Sequence, residues 1–564
     1  MSNPKSANKQ HGTGSEGGFP DFSLNMIDED LIRAENDDKL TVYLFFLILA
    51  AAMAGFLFGY DTAVVGVALP LIGDDLGHEL SASQQEIVTA GTTIGAIFGS
   101  AILGALADRL GRKWSLTIAD TFFTVGAILI ASSYSLAQII VGRVVLGVGV
   151  GGAAVIAPMY ITELAPTAVR GRCIGINALF IPVGQVVAAG IGAGVQQMQH
   201  GWRLLFALGV VPSMVQLVLM HWLPESPRVL ILRKQTHEAR KVMQKVYKNA
   251  SDAQIEFKLR VAEEYVAATT KLQSELTLRQ RLHKLWHTKA YRRPILTVSG
   301  LQFFGQLCGF NALLYYAGTL FGLLGLSNPA LGALIPSGVN ALFLIIGMSL
   351  VDRVGRRGLL IWFGPLMIAG LVWNIASFYY LCQPTGGFLD TSFSYDRGQV
   401  GVVIGGIVLF TMGFGMTYSH LAWYQSEFLA LEIRASGSAI ATTTCWIANL
   451  VVSVSFLSEL ETLTPSGTYG LYLAFVVAGY IFVVFCYPES KGLSIDEIAT
   501  VFHDSFGIKK SVEMRRAKAE LREKWAKENK GQPHDVAQKA KDTAHLEFAA
   551  RPTRGFRDDR VEQA

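Results

Sequence analysis

Charge and cysteine are both scarce in this sequence. Asp, Glu, Lys and Arg make up only 16% of its 564 residues, whereas 51% are hydrophobic. This excludes an ordinary soluble protein, in which about 25% of residues are charged. The five cysteines are odd in number and scattered, so they predict neither a disulfide framework nor a metal cluster. No nucleophile–base pair, phosphate-binding loop or metal-ligand spacing stands out either, and we expect no catalytic residue, metal, cofactor or nucleic-acid partner.

Long apolar runs take the place of charge. Stretches near the roughly 20 residues that a helix needs to cross a bilayer recur along the chain, for example at 42–68, 139–158, 204–223 and 471–487. Counting such stretches gives about twelve spans. Residues 1–40 are polar and show no cleavable signal peptide. The sequence therefore predicts an all-α integral membrane protein in a lipid bilayer, preceded by a disordered tail.

The distribution of positive charge predicts the topology. Between the sixth and seventh spans, residues 225–293 carry sixteen Lys and Arg against seven Asp and Glu, and such loops stay in the cytoplasm. Both termini are then cytoplasmic. We expect five segments: a cytoplasmic N-terminal tail (1–40), a first six-helix half (41–223), a cytoplasmic helical linker (224–292), a second six-helix half (293–488) and a cytoplasmic C-terminal tail (489–564).

Motifs of the first half return in the second. The repeated pairs are Asp-Arg-x-Gly-Arg at 108–112 and 352–356, Glu163 with Arg170 and Glu427 with Arg434, and Pro-Glu-Ser at 224–226 and 488–490. The last two pairs share an offset of 264 residues, so the halves stay in register. Such a repeat predicts two related halves that pack around a central site near the bilayer midplane and rock to expose it to each side in turn.

The repeated motifs place charges at helix ends. In Asp-Arg-x-Gly-Arg, the glycine permits a tight turn between two helices, and an acid lies near a helix terminus. We expect ion-pair networks that act as a gate latch in the outward-facing state; the alternative is that these charges only set the topology. The predicted gating residues are Asp108, Arg109, Arg112, Glu163, Arg170 and Glu225 in the first half, and Asp352, Arg353, Arg356, Glu427, Arg434 and Glu489 in the second.

In their order along the chain, these motifs resemble those of the sugar porter family of the major facilitator superfamily. The matching segments are Gly104-x-Leu-Ala-Asp-Arg-x-Gly-Arg-Lys113, Pro158-x-Tyr-x-x-Glu163 with Arg170-Gly171, Pro224-Glu-Ser-Pro-Arg228 and Pro488-Glu-Ser-Lys-Gly492. The resemblance runs from Gly55 to Gly492. It implies a major facilitator fold of twelve transmembrane helices that carries a sugar or a cyclic polyol.

An ion pair is predicted inside the first half. Asp61 lies within the first span and Arg143 within the fourth, and ionisable residues in such positions are costly and usually functional. Both residues lie ~10–15 Å below the outer surface at 1.5 Å per helical residue, so the two can pair. The resemblance implies that Asp61 is the proton carrier and Arg143 its partner. A static ion pair is the alternative.

Amide and aromatic side chains at mid-membrane depth predict the substrate site. Four of them, in four different spans, lie twelve or thirteen residues from a charge at the cytoplasmic edge, which is ~18–20 Å of helix. Amides that donate and accept, with an aromatic platform, suit a ring rich in hydroxyls. Gly305 and Gly309 are expected to let the seventh span unwind. The predicted substrate-binding residues are Gln185, Gln302, Gln306, Asn311, Tyr315, Asn340, Trp423, Trp446 and Asn449.

Departures from the family pattern favour a cyclic polyol over a hexose. Hexose carriers have Asn-Gln in the fifth span and two adjacent Gln in the seventh, where this chain has Asn177-Ala178 and Gly305-Gln306. The runs 302–306, 423–427 and 464–468 resemble fungal myo-inositol/proton symporters. We expect a monomer in the plasma membrane that imports myo-inositol with a proton. The alternatives are a hexose symporter, a passive facilitator and a non-transporting nutrient receptor.

Overall fold

The computed structural model describes residues 41–528, except 167–168, 249, 275–277, 391, 430–432, 494 and 504. The tail predicted over residues 1–40 and the last part of the predicted C-terminal tail, after residue 528, lie outside the described residues. The described part of the chain is built from helices and turns and contains no strand.

Six long helices make up the first half within the described part of the chain. Their bounds are Val42–Ile72 (α1), Ala82–Leu110 (α2), Arg112–Ala131 (α3), Leu136–Leu164 (α4), Arg170–Val195 (α5) and Gly201–Trp222 (α6). Polar residues begin the apolar helices: the Thr41 hydroxyl accepts from the N–H of Leu44, 3.2 Å away, as an N-cap does. Glycines let α2 and α4 approach closely, because a Cβ on Gly147 would lie 2.1 Å from the carbonyl oxygen of Thr92.

The described residues of the linker between the halves form four helices. They are Pro227–Leu232 (α7), Thr236–Val246 (α8), Asp252–Ser274 (α9) and Leu278–His287 (α10). In α8 the apolar residues recur with helical spacing, and Val242 and Val246 pack in one buried cluster with Leu44 and Leu47 of α1. The linker therefore lies against the end of the bundle at which α1 begins. We call this end the linker end.

The second half repeats the first with three broken spans. Its helices are Lys289–Leu307 (α11), Phe310–Tyr315 (α12), Ala317–Leu323 (α13), Pro329–Val354 (α14), Arg356–Leu381 (α15), Arg397–Met416 (α16), Tyr418–Leu421 (α17), Arg434–Ser453 (α18), Phe456–Thr462 (α19) and Thr464–Cys486 (α20). Short 3₁₀ segments come directly after α15, at Gln383–Thr385, and after α17, at Ala422–Glu427. The described chain ends with Ile495–Val501 (α21) and Ile508–Glu528 (α22). The seventh span comprises α11 to α13, the tenth α16 and α17, and the eleventh α18 and α19.

Eleven helical stretches of the described residues are long and apolar enough to cross a membrane. The seventh span brings the total to twelve. It is interrupted at Gly309, which has a φ of 86° that glycine adopts without strain. The predicted break at Gly309 is therefore present. Gly305, by contrast, stays within α11, where a Cβ would lie 2.9 Å from the ring of Tyr418. The predicted all-α architecture of twelve spans in two halves is confirmed.

Among the described residues, the halves meet where α5 packs against α14, α2 against α18 and α19, and α1 against α12 and α13. The central surfaces of these helices carry the buried polar residues that follow.

Candidate functional site

A buried ion pair joins α1 and α4. The Nη1 atom of Arg143 donates to Oδ1 of Asp61 at 2.5 Å, and the two residues are 0% and 3% exposed. Arg143 also donates through Nε to the carbonyl oxygen of Val88 on α2, at 3.3 Å. Gly91 leaves room for this arginine, because a Cβ there would lie 2.9 Å from that of Arg143. Removing one partner of such a pair leaves an uncompensated buried charge.

A cluster of amides and hydroxyls surrounds the break in the seventh span. Oε1 of Gln306 accepts from Nδ2 of Asn311 at 2.5 Å and from Nδ2 of Asn449 at 2.9 Å. Oδ1 of Asn449 accepts from the Tyr315 hydroxyl at 3.0 Å and from the Thr93 hydroxyl at 3.2 Å. Because the chain turns at the break, residues on both sides of it reach the same side chains. The cluster joins α11, α12 and α18 of the second half to α2 of the first.

Helices α1 and α2 connect this amide cluster to the ion pair. On α2, Val88 bonds Arg143 and Thr93 bonds the cluster, and five residues of helix separate them by ~7.5 Å. On α1, Gly66 lies five residues after Asp61, and a Cβ there would be 2.0 Å from the carbonyl oxygen of Leu314. Two packed helices therefore run from the ion pair to the cluster.

A second amide pair and an aromatic group lie between the halves. Nδ2 of Asn340 on α14 donates to Oε1 of Gln185 on α5 at 3.3 Å. The Phe58 ring contacts those of Trp423 and Trp446, with centroids 6.3 Å and 5.4 Å away. Nε1 of Trp446 and Oδ1 of Asn340 are buried and have no hydrogen-bond partner among the described residues. One donor and one acceptor are thus left for hydroxyl groups.

Gln302 has different partners from the other predicted amides. It is 1% exposed, and its Nε2 donates to the carbonyl oxygen of Ala422 at 3.0 Å and to Oε1 of Gln425 at 3.3 Å. Gln425 in turn donates to Thr442 at 3.2 Å. These bonds tie α11 to the 3₁₀ segment of the tenth span. The structure therefore does not bring Gln302 into the amide cluster.

Two residues of the site were missed by the sequence analysis. Thr93 is one of several threonines in the apolar α2, and its role as a bridge to Asn449 depends on a partner 356 positions away. Phe58 lies three residues before Asp61 in the same motif, and this proximity was the available signal.

The repeated charged motif of the first half forms one network at the linker end. Nη2 of Arg112 lies 2.8 Å from Oδ1 of Asp108 and 2.8 Å from Oε1 of Glu163. Oε1 of Glu225 accepts from the N–H groups of Arg112, at 2.9 Å, and of Lys113, at 3.2 Å. Three helix ends are held together in this way.

The second half repeats the network with the corresponding residues. Arg356 pairs with Asp352 at 3.3 Å and with Glu427 at 3.1 Å. Oε1 of Glu489 accepts from the N–H of Arg356 at 3.0 Å, and the Ser490 hydroxyl donates to Glu427 at 3.1 Å. The internal repeat read from the sequence is therefore a repeat of contacts.

A glycine is required at the turn in each network. Gly111 and Gly355 have φ values of 88° and 95°, which favour glycine. A Cβ on Gly111 would lie 2.1 Å from Oε2 of Glu225, and one on Gly355 would lie 2.2 Å from Oε2 of Glu489. The turn and the approach of the carboxylate both exclude a side chain.

The remaining predicted gating residues take a smaller part. Arg109 and Arg353 contribute backbone carbonyl oxygens, which accept from Arg233 and Lys491 respectively. Nε of Arg170 is buried and lacks a hydrogen-bond partner among the described residues, and Nε of Arg434 donates to the carbonyl oxygen of Leu429 at 3.4 Å. The Arg112 and Arg356 networks lie within their own halves, so a latch between the halves stays a prediction.

Comparisons with known proteins agree on one family. A sequence model described as "Sugar (and other) transporter" matches residues 47–502. Myo-inositol transporter 3 of Cryptococcus neoformans var. grubii serotype A (strain H99) is 65% identical over 527 residues, which cover 93% of this chain and 88% of that protein. Myo-inositol transporter 1 of the same organism is 40% identical over 495 residues, covering 88% of this chain and 87% of that protein.

Among solved structures, the major facilitator proton:xylose symporter XylE, bound to 6-bromo-6-deoxy-D-glucose, matches with a TM-score of 0.67. It is 24% identical, and the match covers 82% of this chain and 99% of that one. The chain belongs to the sugar transporter family and has the major facilitator fold. The family resemblance noted in the sequence is confirmed, and with it an integral membrane protein of a transporter family.

Proposed function

We propose that this protein imports myo-inositol together with a proton by alternating access. The observation that carries the proposal is a cluster of amides and hydroxyls between the two halves that α1 and α2 connect to a buried acid–guanidinium pair. The names of relatives 65% identical to this chain, all myo-inositol transporters, support the substrate. No catalytic step is part of the proposal.

The chemistry of the site suits a ring with a hydroxyl on each carbon. Gln306, Asn311 and Asn449 offer amides that exchange their mutual hydrogen bonds for bonds to hydroxyls. Trp446 offers an unused donor and Asn340 an unused acceptor, and the Phe58 and tryptophan rings offer an apolar face. A substrate with many hydroxyls satisfies all of these groups at once.

Gly305 supports a polyol rather than a hexose. The ring of Tyr418 packs where a side chain at position 305 would lie, 2.9 Å from an added Cβ. A glutamine at that position, as in hexose carriers of the family, would have to displace this ring. One of the hexose-type contacts is thus replaced by an aromatic surface.

Proton coupling follows from the charge of the ion pair. Protonation of Asp61 removes the negative charge that holds Arg143, and the arginine then keeps its bond to Val88 on α2. The loosened pair lets α1 and α4 shift against each other, and α2 transmits the shift to Thr93 and the amide cluster. We also propose that the basic linker end faces the cytoplasm, because positively charged loops stay on that side of the membrane. The protein is proposed to act as a monomer in the plasma membrane.

Uptake assays test the proposal directly. Labelled myo-inositol and labelled glucose are given to transport-deficient yeast that express the chain, at acidic and at neutral external pH. We expect myo-inositol to accumulate, faster at acidic pH, and glucose to compete poorly. Gln306→Ala should raise the KM roughly 10- to 100-fold, as for the loss of two neutral hydrogen bonds worth about 1 kcal/mol each.

Gln216→Ala is the matched control, because Gln216 is a fully buried glutamine on α6 outside the site. Its KM should stay at the wild-type value. Glucose uptake equal to that of myo-inositol would identify a hexose carrier instead. Uptake that ignores pH and stops at equal concentrations would identify a passive facilitator. A correctly localised chain that moves neither myo-inositol nor glucose would identify a receptor.

A further inference from the structure

A hydrogen-bonded contact joins the two halves at the end of the bundle opposite the linker. Oε1 of Glu86 accepts from the N–H of Ser458 at 2.8 Å, and Oε2 accepts from the Ser458 hydroxyl at 2.7 Å. Glu86 belongs to α2 of the first half, and Ser458 belongs to α19 of the second. Glu86 is only 4% exposed. Both of the described partners of its carboxylate lie across the interface between the halves.

The break in the eleventh span creates this contact. Ser458 lies in the first turn of α19, where an N–H group has no acceptor within its own helix. Ser455, the residue before α19, makes no side-chain hydrogen bond to the N–H groups at this end of the helix. Glu86 therefore supplies, from the other half, an acceptor that the eleventh span itself lacks.

The neighbouring residue of α2 makes a second contact of the same kind. Oε1 of Gln85 accepts from the Thr319 hydroxyl on α13 at 3.2 Å. α13 and α19 are the outer segments of the broken seventh and eleventh spans. The chain at the start of α13 also contacts α19, because the Tyr316 ring stacks on that of Phe456 with the ring centroids 5.5 Å apart. Two adjacent residues of α2 thus hold both outer segments.

Glu86 is linked along α2 to the rest of the site. It lies two residues before Val88, which accepts from Arg143, and seven before Thr93, which bonds Asn449. A shift of α2 that follows a change at the ion pair therefore moves Glu86 relative to Ser458. Water can replace both bonds when the halves part, so the contact is reversible.

We propose that Glu86 is a positioning residue of the transport cycle. It holds the protein closed at the end opposite the linker, and it releases Ser458 each time the central site opens to that side. This inference rests on the proposed alternating access between the two halves.

Distances between spin labels on the two halves test the inference. One label is placed at Glu79, in the exposed loop before α2, and one at Glu461, exposed on α19. The full chain is used, with its five native cysteines replaced. We expect wild type to show mostly short distances and Glu86→Ala to raise the ratio of long to short distances roughly tenfold. Glu86→Gln should shift it less, because an amide oxygen still accepts from the Ser458 N–H.

Asp75→Ala is the matched control. Asp75 also accepts two hydrogen bonds at this end, from His200 at 2.6 Å and Trp202 at 2.7 Å, but all three residues belong to the first half. Its loss should leave the distances unchanged. Unchanged distances in Glu86→Ala, or an equal shift in Asp75→Ala, would overturn the inference.

Ser458→Ala covers the case in which Glu86→Ala does not fold. It removes only the hydroxyl bond and keeps the main-chain bond, so a smaller shift in the same direction is expected, and the absence of any shift would count against the inference. The distances are measured without substrate. Failure of myo-inositol uptake would therefore contradict the proposed substrate and leave this result standing.

Discussion

Replacing Asp61 by Asn should uncouple transport from the proton without unfolding the protein. In wild type, Nη1 of Arg143 lies 2.5 Å from Oδ1 of Asp61. An asparagine keeps an oxygen that can accept this hydrogen bond, but it cannot take up a proton in the transport cycle. Asp61→Ala would remove the acceptor as well and leave Arg143 buried and unpaired, at a cost of about 3–5 kcal/mol in stability. Asn is therefore the informative change.

The size of the effect follows from one proton moved per substrate. Each pH unit across the membrane supplies about 1.4 kcal/mol, which supports a tenfold concentration ratio of substrate. With a gradient of about two pH units, wild type should accumulate myo-inositol roughly 100-fold. The Asp61→Asn variant should reach equal concentrations on both sides and still exchange labelled for unlabelled substrate.

Proteoliposomes with an imposed pH gradient provide the assay. Asp120→Asn is the matched control, since Asp120 is another buried acid of the first half, 1% exposed, on α3. It should accumulate substrate as wild type does. Accumulation above equal concentrations by the Asp61→Asn variant would refute the assignment, and so would an equal loss of accumulation in Asp120→Asn.

Two further predictions concern stability in detergent. Gly355→Ala should lower the stability by about 1–3 kcal/mol, because the φ of 95° is strained for alanine and a Cβ would lie 2.2 Å from Glu489. Gly470→Ala is the control and should not lower it, because a Cβ on this helical glycine would meet no atom within 4 Å. An equal loss of thermal stability in the two variants would contradict this account. The hydrogen bond from His200 lowers the pKa of Asp75 below its ordinary 3.8. The ionised carboxyl therefore stabilises the fold above pH 3.8, and the greater stability of wild type over Asp75→Asn should be lost as the pH falls from 3.8 through the lowered pKa. A difference in stability that persists in strong acid would argue against the pairing.

The architecture could be predicted from the sequence because its signals are local. Apolar runs set the spans, and the first run, at 42–68, lies within the helix Val42–Ile72. The break at Gly309 was predicted from a residue type that tolerates its positive φ. The break in the tenth span at Thr417 was not, because its φ of −122° and ψ of −96° arise at a residue with no such signature.

The residue types of the site could be predicted, but not all of their partners. Asn449 bonds Gln306 and Thr93, which lie 143 and 356 positions away, and no local pattern fixes how helices so far apart in sequence cross. For the same reason the bond from Gln302, one turn before Gln306, to the tenth span could not be predicted.

The Arg112 and Arg356 networks also bear on the origin of the chain. Each network draws its arginine and its turn glycine from one half, and its acids from that half and from the residues directly after it. Neither needs a residue of the other half to close. Such self-sufficiency is what a six-helix ancestor would have required before its gene was duplicated and the two copies were joined.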